Sequence, residues 1–459
     1  MKKHNSYMII VPHPDDEINI AGALIYELKL MKKQVKIVFV TNGDKFWYEG
    51  KIRLKESIKA LNVLGVKQED IIFLGYPDGL IGAMYNFDND KISMLLKNRK
   101  LNYRLNKNNL LYKKNDYHND FLRENIENDI YQVIIDYLPE VLIVNDYDNH
   151  PDHKAVSLIF DGLMGNLLKK NRLYKPIILK KFAYNGVWEG ADDYYTRPFR
   201  KTFNNYDGDK LDIPYFEWKD RICYYVLREA MTPYLKDNII YKALKKYRIE
   251  LAFIKGRCIC SRDIVYWQRR SDNLCLNAKL FVSSGEKEYI NDFKYIDCED
   301  LYSDKYNFSK YIWNPKDDLK MLEIELDKKS CIGQISIYES SSAIDNILNV
   351  HIVFDNNIIF DTGELNHNGG ESRFIFYKKV YAKNLKIFID RFEGENCGFT
   401  EFEVYEHSYS ESNQFIKFDY RNYKVKDVNI ILAKLEKIYI STKYLIIKAF
   451  RKAIRFILT

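Results

Sequence analysis

Continuous apolar runs alternate with helix-like segments along the first half of the chain. SYMIIV, VKIVFV, IIFLGY, EVLIVN and KPIILKK are apolar runs of strand length, and residues 18–31 and 49–64 carry apolar residues at helical spacing. Strands that alternate with helices form parallel sheets with right-handed crossovers and with helices on both faces. The pattern therefore predicts an α/β domain built on a parallel sheet.

Three further segments belong to this predicted domain. Residues 84–120 are polar with few apolar anchors, and we expect them to form an excursion over the surface. Residues 216–256 are expected to be helical, and DIVYWQRR, residues 263–270, is expected to be the last strand. We therefore place the first domain at residues 1–270.

The pattern changes from about residue 274. KMLEIELD, CIGQISIYE, NVHIVFDN, RFIFYKK, LKIFIDRF and FTEFEVYEH are short, alternate in polarity and are separated by turn residues. Such segments are typical of an antiparallel β-sandwich, or jelly roll. We predict this sandwich over residues 271–409.

The last part of the chain, residues 410–459, is predicted to contain an amphipathic helix over residues 429–459. Lys434, Lys448 and Arg455 form a basic stripe on it. The apolar side carries Leu435, Ile438, Leu445, Ala449 and Ile457. Two interpretations stay open. The helix lies on an anionic membrane surface, or its apolar side packs on the sandwich or on a second subunit.

Net charge argues against a nucleic-acid partner. The chain carries a formal charge of +7, and residues 411–459 hold eleven Lys or Arg against four Asp or Glu, which is the same surplus of seven. The first 410 residues are thus neutral, whereas nucleic-acid binding needs a basic face on the folded domain.

The cysteines indicate a reducing compartment. There are seven of them, an odd number, and their spacing resembles neither a disulfide framework nor a zinc knuckle. We expect a cytoplasmic protein. A membrane contact of residues 429–459 would place it peripherally at the inner face of the membrane.

Polar clusters follow four of the predicted parallel strands. They are PHPDDE at residues 12–17, TNGD at 41–44, PDG at 77–79 and DYDNHPDH at 146–153. Loops at the carboxyl ends of parallel strands share one edge of the sheet, where ligands bind in open α/β folds. The four clusters therefore predict one site.

Histidine spacing suggests that this site holds a metal. His13 and Asp16 are three residues apart, and so are His150 and His153. Two histidines and one carboxylate, with a position left for water, form the first shell of a catalytic zinc ion. A divalent cation would also offset the repulsion among clustered carboxylates.

Each cluster also has a simpler explanation. Asp15, Asp16 and Glu17 could favour the positive end of a helix dipole, and Asp152 could stand near a helix N-cap. Asp146 and Asp148 form a DxD pattern, which in glycosyltransferases holds a divalent metal. A third alternative is a non-catalytic glycan-binding adaptor.

HPDDE followed about 140 residues later by HPDH resembles the PIG-L/LmbE family of zinc-dependent N-acetylglucosamine deacetylases. TNGD, the segment RLKESIKALNVLGV and YPDG also resemble this family, and the resemblance covers residues 6–270. It implies a Rossmann-like α/β fold and hydrolysis of the N-acetyl group of a GlcNAc-type glycan or glycolipid precursor. The implied partner is thus an N-acetylated sugar or glycolipid.

The resemblance also implies roles for single residues. The implied zinc ligands, with Fe²⁺ as the alternative metal, are His13, Asp16 and His153. Asp15 is the implied general base, and the oxyanion-stabilising or amine-protonating residue is His150. The implied substrate-binding residues are Arg53 and Asp78.

The second domain resembles galactose-binding-like, discoidin-type modules through YIWNP at residues 311–315 and through its strand spacing. The resemblance implies a glycan-binding module. Trp313 has two interpretations, a platform on which a sugar stacks or an ordinary residue of the sandwich core.

Overall fold

The structure is a computed structural model, and it describes residues 4–45, 49–87, 91–92, 95, 121–183, 217–230, 235–255, 260, 263–297, 311–342, 344–355, 358–367, 369–408 and 430–458. Most of the predicted surface excursion at residues 84–120 lies outside these ranges.

The first domain contains a seven-stranded sheet in the order β3-β2-β1-β4-β5-β7-β6. Its strands are β1 Ser6–Val11, β2 Gln34–Thr41, β3 Ile71–Tyr76, β4 Val141–Asn145, β5 Ile177–Lys181, β6 Ile222–Tyr225 and β7 Asp263–Arg269. Its helices are α1 Asp16–Leu30, α2 Gly50–Val63, α3 Ile81–Asn86, α4 Arg123–Tyr137, α5 Pro151–Lys170 and α6 Ile239–Leu244.

Strand order places the predicted site at a topological switch point. β1 pairs in parallel with both β2 and β4. The chain runs from β1 to β2 and β3 on one side, and later through β4 and β5 on the other. Loops after β1 and β4 therefore diverge and leave a crevice between them, which is where open α/β sheets bind ligands. The last two strands, β7 and β6, are antiparallel additions.

Apolar side chains cover both faces of this sheet. Because successive side chains of a strand point to opposite faces, Ile9 of β1 packs with α1, α2 and α6, while Met8 and Ile10 pack with α3, α4 and α5. All three are fully buried. The predicted α/β fold with helices on both faces is confirmed.

The prediction of a helical segment at residues 216–256 is wrong in large part. The chain there forms the strand β6, several short 3-10 turns and one six-residue helix, α6. β6 is an edge strand paired only with β7 among the described strands. A four-residue edge strand leaves too short a pattern to be separated from a helical one by periodicity.

The second domain is an antiparallel, sandwich-like sheet in the order β11-β10-β12-β9-β13, with β8 also pairing with β9. Its strands are β8 Lys279–Val282, β9 Met321–Glu339, β10 Asn346–Phe354, β11 Ile358–Asp361, β12 Glu371–Glu393 and β13 Phe399–Tyr405. The predicted antiparallel sandwich is confirmed.

Two pairs of predicted strands are continuous in the structure. KMLEIELD and CIGQISIYE form β9, while RFIFYKK and LKIFIDRF form β12. The pairing of β9 with β12 shifts register between Ile375 and Val380 and again between Ala382 and Asn384. Such irregularities bend a strand without ending it, so the polar residues between the predicted pairs mark bends rather than turns.

Trp313 belongs to the core of the sandwich. Its side chain is fully buried, its indole N–H donates to the carbonyl of Ser284 at 2.8 Å, and its ring lies 5.2 Å from that of Phe399. A ring without exposed surface cannot stack on a sugar, so the sugar-platform interpretation of Trp313 is wrong.

The two domains meet through buried polar contacts. The guanidinium of Arg269, at the end of β7, bonds to Glu403 of β13. Arg373 of β12 donates to both carboxylate oxygens of Asp220, at 3.0 and 2.7 Å. The hydroxyl of Tyr85 donates to Asp297 at 2.7 Å.

The predicted C-terminal helix is confirmed as α7, Ile430–Leu458. It contacts the first domain near the 3-10 turn Ala252–Lys255. Among the described residues, no helix has the length and apolar character that crossing a bilayer requires.

Candidate active site

The sequence motif PHPDDE joins β1 to α1. His13 follows the strand by two residues, and Asp16 is the first residue of α1. The amide N–H of His13 donates to Asp16 Oδ2 at 3.0 Å, which folds the loop back on itself. Both side chains are buried. A carboxylate at the start of a helix is favoured by the helix dipole, so the fold holds Asp16 in place.

His153 comes from the first turn of α5, which begins after the loop that follows β4. Its Nε2 lies 3.0 Å from His13 Nδ1 and 3.2 Å from Asp16 Oδ2, and the last two atoms are 3.3 Å apart. In a tetrahedral zinc site with bonds of about 2.0–2.1 Å, neighbouring ligand atoms are separated by about 3.3 Å. The three predicted metal ligands therefore converge at the spacing of such a site.

Hydrogen bonds set the tautomers of both rings. His13 Nε2 lies 3.1 Å from Asp152 Oδ2, and His153 Nδ1 lies 2.8 Å from Asp148 Oδ2. Because a carboxylate accepts, each of these nitrogens carries a proton when the imidazole is neutral. The unprotonated nitrogens, His13 Nδ1 and His153 Nε2, then face each other and Asp16. Their lone pairs repel one another unless a cation lies between them.

Within the described part of the chain, Asp16 Oδ1 is buried and accepts no hydrogen bond. A buried carboxylate oxygen without a partner is costly. Because Oδ2 is the oxygen that faces the two imidazoles, a cation would supply the missing interaction only if both oxygens of Asp16 bound it. The donor set, two imidazole nitrogens and one carboxylate, suits zinc and also ferrous iron.

The cluster stabilises positive charge. Burial alone would lower the pKa of His13, but Asp78, Asp152 and Asp16 raise it well above its ordinary value. Burial also opposes the charge of His153, yet Asp148 and Asp16 raise its pKa to about 9. A group of acids that holds a proton this firmly on imidazole would bind a divalent cation in its place.

His150 lies beside the two histidines but is held differently. Its ring centre is 4.8 Å from that of His13 and 4.7 Å from that of His153. Burial, followed by the charges of these two rings, lowers the pKa of His150 to about 4. Its Nδ1 accepts the N–H of Asp152 at 3.2 Å, so Nε2 carries the proton of the neutral ring. His150 is therefore a neutral hydrogen-bond donor at pH 7.

Asp15 has a strained backbone. Its φ of 111° lies in the left-handed region, which non-glycine residues rarely adopt. Its N–H donates to Glu17 Oε2 at 3.0 Å, and the hydroxyl of Tyr247 donates to the other oxygen of Glu17. Burial raises the pKa of Glu17 to about 8. Glu17 thus holds the loop in the conformation that presents Asp15.

Arg53 of α2 connects three loops at the edge of the sheet. Its guanidinium donates to the carbonyls of Pro14 and Gly43 at 2.9 and 3.2 Å, and to Asp78 Oδ2 at 2.7 Å. Gly43 has a φ of 65°, and a Cβ there would lie 2.9 Å from Arg53 Nε, so the approach requires glycine. Much of the hydrogen-bonding capacity of Arg53 therefore holds the loops together.

Asp78 connects the cluster of His13, Asp16 and His153 to this arginine. Its Oδ1 lies 3.4 Å from His13 Nε2, and its N–H donates to Asp44 at 2.9 Å. Burial would raise the pKa of Asp78, but the charges and hydrogen bonds of His13 and Arg53 lower it below its ordinary value. The predicted substrate-binding pair Arg53 and Asp78 thus borders the cluster, and its contact with substrate stays a prediction.

Two carboxylates were not assigned a site role from the sequence. Asp152 accepts from His13 and from the N–H groups of Gly79 and Gly82, at 2.6 and 3.1 Å. It therefore fixes the loop after β3 against the first turn of α5. His13, Asp78 and Asp152 form a second group whose ligand atoms converge, beside the group of His13, His150 and His153.

Asp148 is the other unassigned carboxylate, and it orients His153. Carboxylates that accept from a metal-bound histidine are common in metal sites, so DxxxxH before a helix was an available signal. Asp146 instead accepts from the N–H of Tyr147 and from Ser157 Oγ, at 2.8 and 3.0 Å. The two aspartates of the DxD pattern therefore accept hydrogen bonds from different neighbours.

The fold and the cluster together define a class, an α/β domain with a buried His and Asp cluster at the switch point of its sheet. Residues 8–163 match the family model described as "PIG-L: GlcNAc-PI de-N-acetylase". This part of the chain is a PIG-L family domain. No curated protein matches the chain.

Solved structures similar to the first domain include two deacetylases. The A40926 pseudoaglycone deacetylase is 16% identical, with 58% of this chain and 97% of that one covered and a TM-score of 0.33. The N,N'-diacetylchitobiose deacetylase from Pyrococcus horikoshii is 15% identical, with 59% and 85% covered and a TM-score of 0.33. The second domain is similar to a family 32 CBM from C. perfringens in complex with galactose, at 16% identity, 28% and 92% coverage and a TM-score of 0.21.

Proposed function

We propose that the protein hydrolyses the N-acetyl group of an N-acetylated amino sugar, a GlcNAc-type glycan or glycolipid precursor, and releases acetate and a free amine. The observation that carries this proposal is the convergence of His13 Nδ1, His153 Nε2 and Asp16 Oδ2 at 3.0–3.3 Å. The PIG-L family match over residues 8–163 supports the reaction type.

The three converging residues hold a divalent cation, zinc with ferrous iron as the alternative. When bound, the cation polarises a carbonyl and lowers the pKa of a water molecule from 15.7 toward about 7. Asp148 and Asp152 keep the outer nitrogens of the two rings protonated, so the inner nitrogens are available as ligands.

Asp15 acts as the general base and accepts a proton from the attacking water. The water oxygen bonds to the acetamide carbonyl carbon, and the carbon–nitrogen bond then breaks. The departing nitrogen takes up a proton, because an amide anion is too basic to leave. His150 donates its Nε2–H to the developing oxyanion, in keeping with the lowered pKa of its ring. In its alternative role, His150 first takes up the proton that Asp15 accepted and then passes that proton to the departing nitrogen.

An acetate-release assay tests this function. The full-length protein is stripped with a chelator, reloaded with Zn²⁺ or Fe²⁺, and given GlcNAc-containing lipids, nucleotides and oligosaccharides. We expect acetate and amine in equal amounts from at least one class, dependent on the added metal. Manganese-dependent binding of a sugar nucleotide without acetate release would favour the DxD glycosyltransferase, and glycan binding without turnover would favour an adaptor.

A further inference from the structure

α7 is attached to the first domain by a narrow face. Ile440 is buried in the apolar cluster that also contains α1 and α6, and Tyr444 and Ile447 are partly buried against it. These residues are four and three positions apart, so they lie on one side of the helix. Lys443 adds a contact with the ring of Phe253 at 5.7 Å.

The opposite side of α7 is apolar and exposed. Ile438, Leu445 and Phe450 are 62%, 63% and 68% exposed. We call this surface the outer face, and it consists of Leu435, Ile438, Leu445, Ile446 and Phe450. At 3.6 residues per turn, Leu435, Ile438, Leu445 and Ile446 lie about 120–160° around the helix from Ile440, whereas Phe450 lies about 80° from it and forms one edge of the outer face. Five large apolar side chains in one exposed stripe form a patch that soluble surfaces normally avoid.

Positive charge borders the outer face. Residues 430–459 contain seven Lys or Arg and one Glu. Lys448 and Lys452 are exposed and lie along one edge of the outer face. An apolar stripe bordered by lysines is complementary to an anionic lipid surface, where the stripe enters the acyl boundary and the lysines meet headgroups.

A second copy of the chain fits this surface less well. Two outer faces packed together would bring the lysines of both helices close to one another, and the single acidic residue of residues 430–459 could not offset them. Like charges along a helix interface oppose pairing.

We infer that the outer face of α7 binds the surface of an anionic membrane, and that the substrate is an amino sugar attached to a lipid in it. The second part rests on the proposed function. The attachment site of α7 is close to the candidate substrate arginine, because Arg53 Nε lies 3.5 Å from Glu250 Oε1. Glu250 is three residues from Phe253, which spans at most about 11 Å of chain.

Vesicle flotation of the full-length protein tests the membrane contact. We expect binding to vesicles of phosphatidylcholine with phosphatidylglycerol, and much weaker binding to phosphatidylcholine alone. The variant Ile438→Ser/Leu445→Ser/Phe450→Ser should bind at least about 100-fold more weakly. Each substitution removes the favourable free energy of transferring an apolar side chain from water into the membrane. The matched control Leu173→Ser/Ile344→Ser/Tyr377→Ser removes exposed apolar side chains elsewhere and should bind as the wild type does.

A charge variant measures the electrostatic contribution to membrane binding separately from the apolar contribution. Lys448→Gln/Lys452→Gln should weaken binding to anionic vesicles by about fivefold per lysine and leave binding to neutral vesicles unchanged. Lys67→Gln/Lys279→Gln, which changes exposed lysines away from α7, is the control and should have no effect.

Equal binding by the wild type and the serine variant would overturn the membrane contact. So would a wild-type dimer that the serine variant converts to monomers and that binds no vesicles, because the outer face would then be a subunit interface. Light scattering after size-exclusion chromatography measures whether each protein is a monomer or a dimer.

Deacetylation is measured in the same samples on a soluble and on a lipid-linked GlcNAc conjugate. If both parts hold, the serine variant keeps its rate on the soluble conjugate and loses rate on the lipid-linked one. Vesicle binding without acetate from any substrate would overturn the proposed function and the lipid-linked substrate, while the membrane contact would stand. Acetate release without vesicle binding would overturn the membrane contact, while the proposed function would stand.

Discussion

Carboxylates are buried in two regions of the molecule, the loops after β1 to β4 and the strands β9 and β13 of the second domain. In the loops, imidazole and guanidinium groups lower the pKa of Asp16, Asp78 and Asp152 against the effect of burial. In the second domain, burial dominates, and it raises the pKa of Glu339 to about 8 and also raises the pKa of Glu401.

The difference shows what makes a cation site. A buried carboxylate with no basic group against it, as is Glu339 among the described residues, takes up a proton and stays neutral. In the loops after β1 to β4, the carboxylates are ionised because basic groups converge on them, and the inner ring nitrogens of His13 and His153 lie beside Asp16 Oδ2. The predictions below test this contrast.

His13→Ala should have the largest effect. It removes one of the three converging atoms, so the protein should lose its metal and, with it, measurable acetate release. Elemental analysis and the acetate assay check this. His367→Ala, at an exposed histidine of the second domain, is the control. A His13→Ala protein with a full complement of metal would contradict the ligand assignment.

Asp15→Asn should keep the metal but lower the rate by about two to four orders of magnitude, because it removes the general base without removing a ligand. Single-turnover rates with metal content measured on the same sample check this. Wild-type rates in the metal-replete variant would rule out the role of Asp15.

Arg269→Ala tests the second domain. Arg269 is buried, lies over the rings of Phe293 and Tyr295 at 3.7 Å each, and bonds to Glu403. Its loss leaves buried acids without their basic partner, which should destabilise the protein by about 3–5 kcal/mol. Urea unfolding checks this. Metal content of the folded fraction should not change, in contrast to His13→Ala.

Asp148→Asn should weaken metal binding or activity by about 10- to 100-fold, because it disturbs the group that orients His153. Asp146→Asn is the matched control two residues away and should leave the metal affinity unchanged. Competition with a chelator measures both. An equal loss in both variants would instead support the paired DxD role.

Glu339→Gln should leave metal content and activity unchanged, and its effect on stability should depend on pH. Glu339 is buried, and its Oε1 has no hydrogen-bond partner in the described ranges. Because its folded-state pKa is raised to about 8, the wild type loses stability as pH rises from about 4.5 through 8. Glutamine cannot ionise, so the variant should be more stable than the wild type at pH 8, where each unit of pKa shift corresponds to about 1.4 kcal/mol, and should show no gain at pH 4. Thermal unfolding at both pH values measures the difference.

The sequence predicted the parallel sheet and the sandwich because apolar periodicity is local. It also predicted that His13, Asp16, His150 and His153 would share one edge of the sheet, since loops after parallel strands must meet there. It misjudged residues 216–256 and divided β9 and β12, because a short edge strand and a bend within a strand leave no distinct local pattern.

Residue types and their spacing along the chain were enough to predict that two imidazoles and a carboxylate converge. Which nitrogen of each ring faces inward depended on Asp148 and Asp152, whose partners are set by distances in space. The same holds for Glu17 and Tyr247 behind Asp15, which are far apart in sequence. Hydrogen bonds act over about 3 Å, so only the folded chain decides which distant groups form them.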